Sequence, residues 1–388
     1  MFIPIILIIL TALMVFNSNI HIPCTPFIRN ELQASSFIIQ FAFILNPLIS
    51  IFANFAFGFL SEFYNKKSLL IITLICFLSG SLCCFYSPTI GIFLLGRLFQ
   101  AIGDGGIVVL GIAILSIISK EQFAYYLGVS SATFAIAWGT GPIFGTLIFN
   151  LIGWRWNFFV LFFLVLLITI LLIHYLPHNS LRATKDKPFN ISSMWHSTVK
   201  LLNNPNFSAS NWAAAIAIGT FGAFEINSPF IFIDSYNFTP SKFSFFNALI
   251  ITINCIASIA YIKIVRHFGV KGAFITGFIT YIGYVFGAIL FLSRLLLPSP
   301  YLILLFIGFL ASSLPFLTST TTIYALKESE DNPSLALTIL SCSRNIASSS
   351  ITLIVSAFYT GEIYPFFTAS FAFSIIALRF LFIILSVK

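Results

Sequence analysis

Charge is what this 388-residue chain has least of: Asp, Glu, Lys and Arg together make up 8% of it. A soluble domain carries about 25%. With 59% of the residues hydrophobic and a mean hydropathy of +1.03, polar side chains are too few to cover a surface in water, so the solvent must be lipid. No G-x-x-x-x-G-K-[ST] phosphate loop and no soluble nucleotide-binding domain stand anywhere, which leaves nothing pointing to an ATP-driven machine. H-E-x-x-H is absent too. The histidines, His21, His174, His178, His196 and His267, fall in loops or at the ends of apolar runs, where an interfacial role or none is expected. The six cysteines form no C-x-x-C pair, and five lie inside apolar runs, so they read as small buried hydrophobes rather than metal ligands or disulfides. No enzyme activity, metal or cofactor is expected.

The formal charge of +8 does not read as a nucleic-acid surface, because the basic residues are scattered through short loops rather than gathered on one face. The opening "MFIPIILIIL" lacks the positive n-region of a secretory signal, and no small-residue cleavage site follows. It is expected to be a first membrane helix without a cytosolic tail.

A membrane span needs about 20 residues. Apolar runs separated by Pro, Asn, Lys or Glu clusters give twelve: 2–22, 37–60, 69–86, 91–118, 127–149, 156–176, 207–232, 243–262, 272–293, 300–325, 335–360 and 365–386. With the N-terminus inside, twelve basic residues, from Lys66 and Lys67 to the terminal Lys388, fall in inside loops. Only Arg29, Arg155, Lys242 and Arg294 fall outside, which is the bias of cytoplasmic loops. The stretch "PHNSLRATKDKPFNISSMWHSTVKLLNNPN" is the longest polar one and lies near the middle. The expected architecture is therefore an all-α integral membrane protein with both termini cytoplasmic. A six-helix bundle over 1–178 and another over 207–388 flank a cytoplasmic linker at 179–206. A weak echo between "GFLSEFYNKK" (58–67) and "KIVRHFGVK" (263–271) supports two repeated halves, a common transporter plan.

Against this apolar background, interior charges stand out. "LLGRLFQAIGDGG" places Arg97 and Asp104 seven residues apart, two turns on one helix face with Gln100 between them. A charge at a bilayer centre costs roughly 3 kcal/mol or more. The readings are a structural ion pair, or a face on a water-filled path where Asp104 binds and releases a proton. Glu225 in the seventh span lies at a depth similar to that of Arg97, and the two are expected to approach when an outer mouth closes. Arg344 interrupts "LTILSCSRNIASSS", a polar seam; it either neutralises an acidic substrate or pairs with a backbone carbonyl. Arg379 is expected to snorkel.

"AWGTGPIFG" offers Gly139, Gly141 and Gly145 for close helix approach and Pro142 for a bend. In "GFLSEFYNKK", Gly58 allows close packing, Glu62 can pair with Lys66 or Lys67, and Asn65 tolerates a left-handed turn. That loop reads as a plain turn or as a latch on the inner side. "GWRWNF" reads as an interfacial anchor, with Trp154 and Trp156 in the aromatic belt and Arg155 at the headgroups.

Together these stretches resemble the major facilitator superfamily, and within it the drug:proton antiporters of the bicyclomycin/chloramphenicol resistance (Bcr/CflA) type. The loop resembles G-x-L-x-D-R-x-G-R-K through Gly58, Leu60, Glu62, Lys66 and Lys67. "GRLFQAIG" resembles R-x-x-Q-x-x-G, and "GTGPIFG" resembles the antiporter G-x-x-x-G-P-x-x-G. "GWRWNFF" and "INSPFIF" look like the subfamily's sixth and seventh helices. Asn65 and Glu62 depart from the loop pattern, and Ala137 puts the first antiporter glycine out of register at Gly139. The subfamily's first-helix D-x-x-x-P becomes Asn19 before Pro23, so that its acidic proton carrier is missing and Asp104 is the candidate to replace it. The resemblance implies twelve helices, a rocking cycle and small amphipathic substrates. Function is therefore expected to be proton-driven export by a monomer in a bacterial inner membrane, with protons, a small molecule and the lipid bilayer as partners. The alternatives are a metabolite importer, a uniporter without proton coupling, or a membrane sensor that binds without transport.

Overall fold

The computed structural model describes residues 2–118, 122–176, 191–329, 333–359 and 362–387, and among them every regular element is helical. In chain order these are α1 (Phe2–Ile20), α2 (Thr25–Glu31), α3 (Ser36–Phe63), α4 (Lys66–Phe85), α5 (Ile90–Ile118), α6 (Phe123–Ile152) and α7 (Arg155–Tyr175). There follow α8 (Ile191–Asn203), α9 (Pro205–Pro229), α10 (Pro240–Leu292), α11 (Pro300–Lys327), α12 (Pro333–Ala357) and α13 (Tyr364–Val387). The twelve expected spans fall on eleven long helices, because α10 runs through the eighth and ninth without leaving a loop between them. Gly269, at φ 70°, breaks α10 where the two spans were divided, a conformation that glycine adopts without a Cβ clash. Ten segments are long and apolar enough to cross a membrane. α12 is long enough but too polar to be among them.

Helix boundaries follow local chemistry. Ser35 Oγ accepts from the Ile38 amide at 3.3 Å and starts α3. Asn204 caps α9 through the amides of Asn206 and Phe207, with Pro205 in the first turn. The weakest expected division, at residues 87–89, is a real break between α4 and α5. After α1 the chain does not run straight into a loop. It tightens through a turn of 3-10 helix at Ile22–Cys24 and then forms α2. Of the segment 179–206 read as a linker, 179–190 lie outside the described residues, and α8 occupies most of the remainder.

The chain divides into two compact units. One holds α1–α7 together with Thr239–Phe245; the other holds α8, α9, the rest of α10 and α11–α13. In the first unit α5 packs against α3, α4 and α1, and α6 packs against α1. The α4–α5 contact is so close that a Cβ on Gly96 would lie 2.9 Å from the Gly80 carbonyl oxygen. Small residues of this kind are what let helices associate in lipid, where burial of apolar surface gives little drive. In the second unit the alanine-rich α9 is the hub, against α11, α12 and α13.

Candidate functional site

The polar interior of the first unit is built on α5. Arg97 is 1% exposed, Gln100 0% and Asp104 7%, so all three leave the lipid face, as their shared helical stripe requires. The guanidinium does not reach down to Asp104. Its Nη1 donates to Gln100 Oε1 at 2.8 Å, its Nε to the Ala42 carbonyl at 3.3 Å, and its Cζ lies 4.8 Å from the Phe43 ring centre. Gln100 Nε2 in turn donates to Ser81 Oγ at 2.9 Å. Arg97 thus ties α5 to α3 and, through Gln100, to α4.

Asp104 has a different neighbour, Asn46 of α3, whose side chain lies beside the carboxyl. Asn46 Nδ2 donates to Ser18 Oγ of α1 at 3.1 Å. Ser18 is exposed. A buried carboxyl therefore lies beside an amide that bonds to a hydroxyl on the unit's surface. Neither Asn46 nor Ser18 was singled out by the sequence. The available signal was an amide followed by Pro47 inside an apolar run.

Asn19, in the place where the antiporter pattern has an acid, is 6% exposed and turns its Nδ2 back to the Val15 carbonyl at 2.8 Å. The glycines of α6 receive this part of α1. A Cβ on Gly141 would lie 3.0 Å from Asn19 Cβ, and one on Gly145 would overlap the Ile20 carbonyl oxygen. Gly139 is half-buried, and Pro142 sits inside α6. Close packing accounts for Gly141 and Gly145 directly.

Several expectations are corrected here. His21 is not interfacial: it is fully buried, stacked on Phe158 at 3.9 Å with Nε2 3.4 Å from Asn17 Oδ1, because α1 ends inside the unit rather than at its rim. Cys255 is exposed, unlike buried Cys24 and Cys84, because one face of α10 is outward. Trp154 is 4% exposed and donates from Nε1 to Glu31 Oε2 at 2.6 Å. Arg155 pairs with Glu31 and donates to the Ser87 carbonyl at 2.7 Å. These two residues join three connecting segments, while Trp156 is 38% exposed.

In the α3–α4 turn, Asn65 has φ −63° and is not left-handed. Its side chain caps α4 by accepting from the Lys67 amide at 2.9 Å. Gly58 makes no tight approach, since a Cβ there would have ordinary contact with Val109. Lys66 Nζ donates to the Ser61 carbonyl at 2.8 Å, with Glu62 in electrostatic reach. Lys67 Nζ donates to the carbonyls of Ile173 at 2.7 Å and Leu176 at 2.6 Å, where a cation meets the open end of α7.

In the second unit Glu225 is half-buried on α9, and its carbonyl accepts from Ser228 Oγ at 2.9 Å. Arg344, on α12, is also half-buried. Its Nη2 donates to Thr322 Oγ1 at 2.6 Å and lies 3.4 Å from the Thr318 carbonyl, while its Nε is buried without a partner. Arg379 is exposed on α13. No cluster of His, Cys, Asp and Glu able to hold a metal occurs among the described residues.

The profile of the Major Facilitator Superfamily matches residues 7–350. An uncharacterized MFS-type transporter of Bacillus subtilis, YfiU, is 36% identical over 105 residues, 26% of this chain and 20% of its own. Multidrug resistance protein 3 of the same organism is 30% identical over 105 residues, 27% of this chain and 20% of its own. The matched stretch thus spans about a fifth of each of these two relatives. A bacterial homologue of the human lysosomal transporter Spinster, solved inward-facing and occupied, superimposes with a TM-score of 0.77 at 13% identity, covering 99% of this chain and 96% of that one.

Proposed function

Because the chain belongs to the Major Facilitator Superfamily, we propose that it is a secondary transporter exporting small amphipathic molecules in exchange for protons, of the bicyclomycin/chloramphenicol resistance type. The observation that carries this reading is the carboxyl of Asp104, buried on α5 beside Asn46, an amide that donates to exposed Ser18. A carboxyl placed inside a membrane helix costs free energy, and such groups are retained where a proton or ion is handled. Here the group is neither at the lipid face nor sealed in an ion pair. In this mechanism Asp104 takes a proton from the outside, carries it through the change of access and releases it inside. Arg97 sets the field in which it titrates. One proton moving down 100 mV supplies roughly 2.3 kcal/mol, enough for modest accumulation of a counter-transported solute.

The same reading places the protein as a monomer in a bacterial inner membrane with both termini cytoplasmic, in keeping with the excess of basic residues in the inside loops. Asp104 takes the role left vacant at Asn19. The loop of Gly58, Glu62, Lys66 and Lys67 latches the inner side, and Pro142 in α6 supplies a bend. Flux of a panel of drugs, siderophores and metabolites into vesicles containing the full chain, with and without an imposed pH gradient, tests the mechanism. Asp104→Asn is expected to insert normally and to lose the pH-driven component; full pH-driven transport by that variant discards the mechanism. Accumulation of substrate inside energised cells favours import instead.

A further inference from the structure

α12 has the length of a membrane span but lacks its apolarity, and the reason is one stripe. Ser341, Arg344, Asn345 and Ser348 recur at helical spacing, and each is exposed or half-buried. Thr318 and Thr322 of α11, also half-buried, meet Arg344. A surface of this kind cannot face acyl chains, so it faces water or a ligand.

Arg344 itself is left incomplete. A guanidinium has five N–H donors in a planar fork. One nitrogen is used by Thr322 and Thr318, and the Nε has no partner although it is buried. Among the described residues Arg344 forms no ion pair. The Thr322 hydroxyl already donates to the Thr318 carbonyl at 2.6 Å, whereas the hydroxyls of Ser341 and Ser348 and the Asn345 amide are neutral groups able to donate. A cation with spare donors and no counter-charge, ringed by further neutral donors, is complementary to a carboxylate, which accepts two parallel bonds from the fork and has lone pairs left for hydroxyls.

We propose that Arg344, with Thr318, Thr322, Ser341, Asn345 and Ser348, forms the subsite that holds a carboxylate group of the transported molecule, so that the substrates are amphipathic organic anions. This rests on the transport reading above and names its substrate class.

The test uses the full chain in vesicles of phosphatidylcholine alone, which carry no net anionic headgroup. Phenylglyoxal, which modifies accessible guanidinium groups, is applied, and adducts are located by mass spectrometry. The probes are octanoate, its uncharged counterpart octanamide, and inorganic phosphate. Arg344 is expected to react while Arg97 does not. Octanoate is expected to slow the Arg344 adduct at least about fivefold, the effect of a ligand held well above its dissociation constant, with octanamide and phosphate nearly without effect. Equal slowing by octanamide, no slowing by octanoate, or an Arg344 that never reacts overturns the subsite. Slowing by phosphate as strong as by octanoate overturns the carboxylate class. Panel flux measured in the same vesicles separates the two claims. Protection without flux refutes transport and spares the subsite, whereas pH-driven flux without protection refutes only the subsite.

Discussion

Arg97 on α5 and Arg344 on α12 are each a lone cation within a membrane-length helix, yet their surroundings differ. Arg97 is 1% exposed and enclosed by Gln100, the Ala42 carbonyl and the Phe43 ring. Arg344 is half-buried, bonded through one nitrogen, with a buried Nε left over. A buried charge whose donors are matched by fixed acceptors holds helices in register, and removing it leaves those acceptors bare. A charge whose donors are not matched has room for a mobile partner. The same side chain is thus structural framework in one unit and a free valence in the other.

The sharpest way to break this contrast is to remove each arginine in turn. Arg97→Ala is expected to cost about 3 kcal/mol, from a cavity beside Phe43 and from stranding Gln100 and the Ala42 carbonyl. Arg344→Ala is expected to cost under about 1 kcal/mol, as for partly solvated charges. Equal losses in unfolding of the detergent-solubilised protein would erase the distinction. Next in size, Asp104→Asn should lower the pH-driven component of flux at least about tenfold without lowering the amount of protein in the membrane. Asn46→Leu removes the amide that stands between Asp104 and Ser18, and replacing a polar neighbour of a carboxyl by an apolar one should reduce the same component by several-fold, about the effect of 1–2 kcal/mol. If it has no effect while Asp104→Asn is inactive, the carboxyl reaches water by another route. The smallest expected change is Lys67→Ala, which uncaps α7 and should cost about 0.5–1 kcal/mol in the first unit. Hydrogen exchange at the last turn of α7, rather than global unfolding, is the measurement able to resolve it.

The all-helical architecture, most boundaries and the stripe carrying Arg97, Gln100 and Asp104 were legible because lipid imposes a simple rule on sequence. Spans must be long and apolar, and polar side chains that survive within them must share a face. The errors have equally physical causes. Trp154 and His21 look like residues of a membrane interface by composition, but ring burial depends on what packs above them, Glu31 and Phe158 respectively. Asn65 was read by its backbone tolerance, whereas its side chain decided the matter by capping α4. The joined α10 was divided correctly in sequence but not in structure, since Gly269 bends the chain without opening a loop. Asn46 and Ser18 were missed because single amides and hydroxyls are common in membrane helices, and the Pro47 that follows Asn46 says nothing of its partner.

By itself the sequence determined that the chain is an all-helical membrane protein, where most of its long helices begin and end, and which polar residues of α5 and α12 share a face. These properties depend on residues a few positions apart, and helical periodicity reads them directly. Which arginine is enclosed and which is left with open donors was decided only by tertiary structure. Their partners come from other helices: Ala42 lies 55 residues before Arg97 in the chain, and Thr322 lies 22 before Arg344. Whether a buried charge is satisfied depends on what the folded chain brings to it, and no local pattern records that.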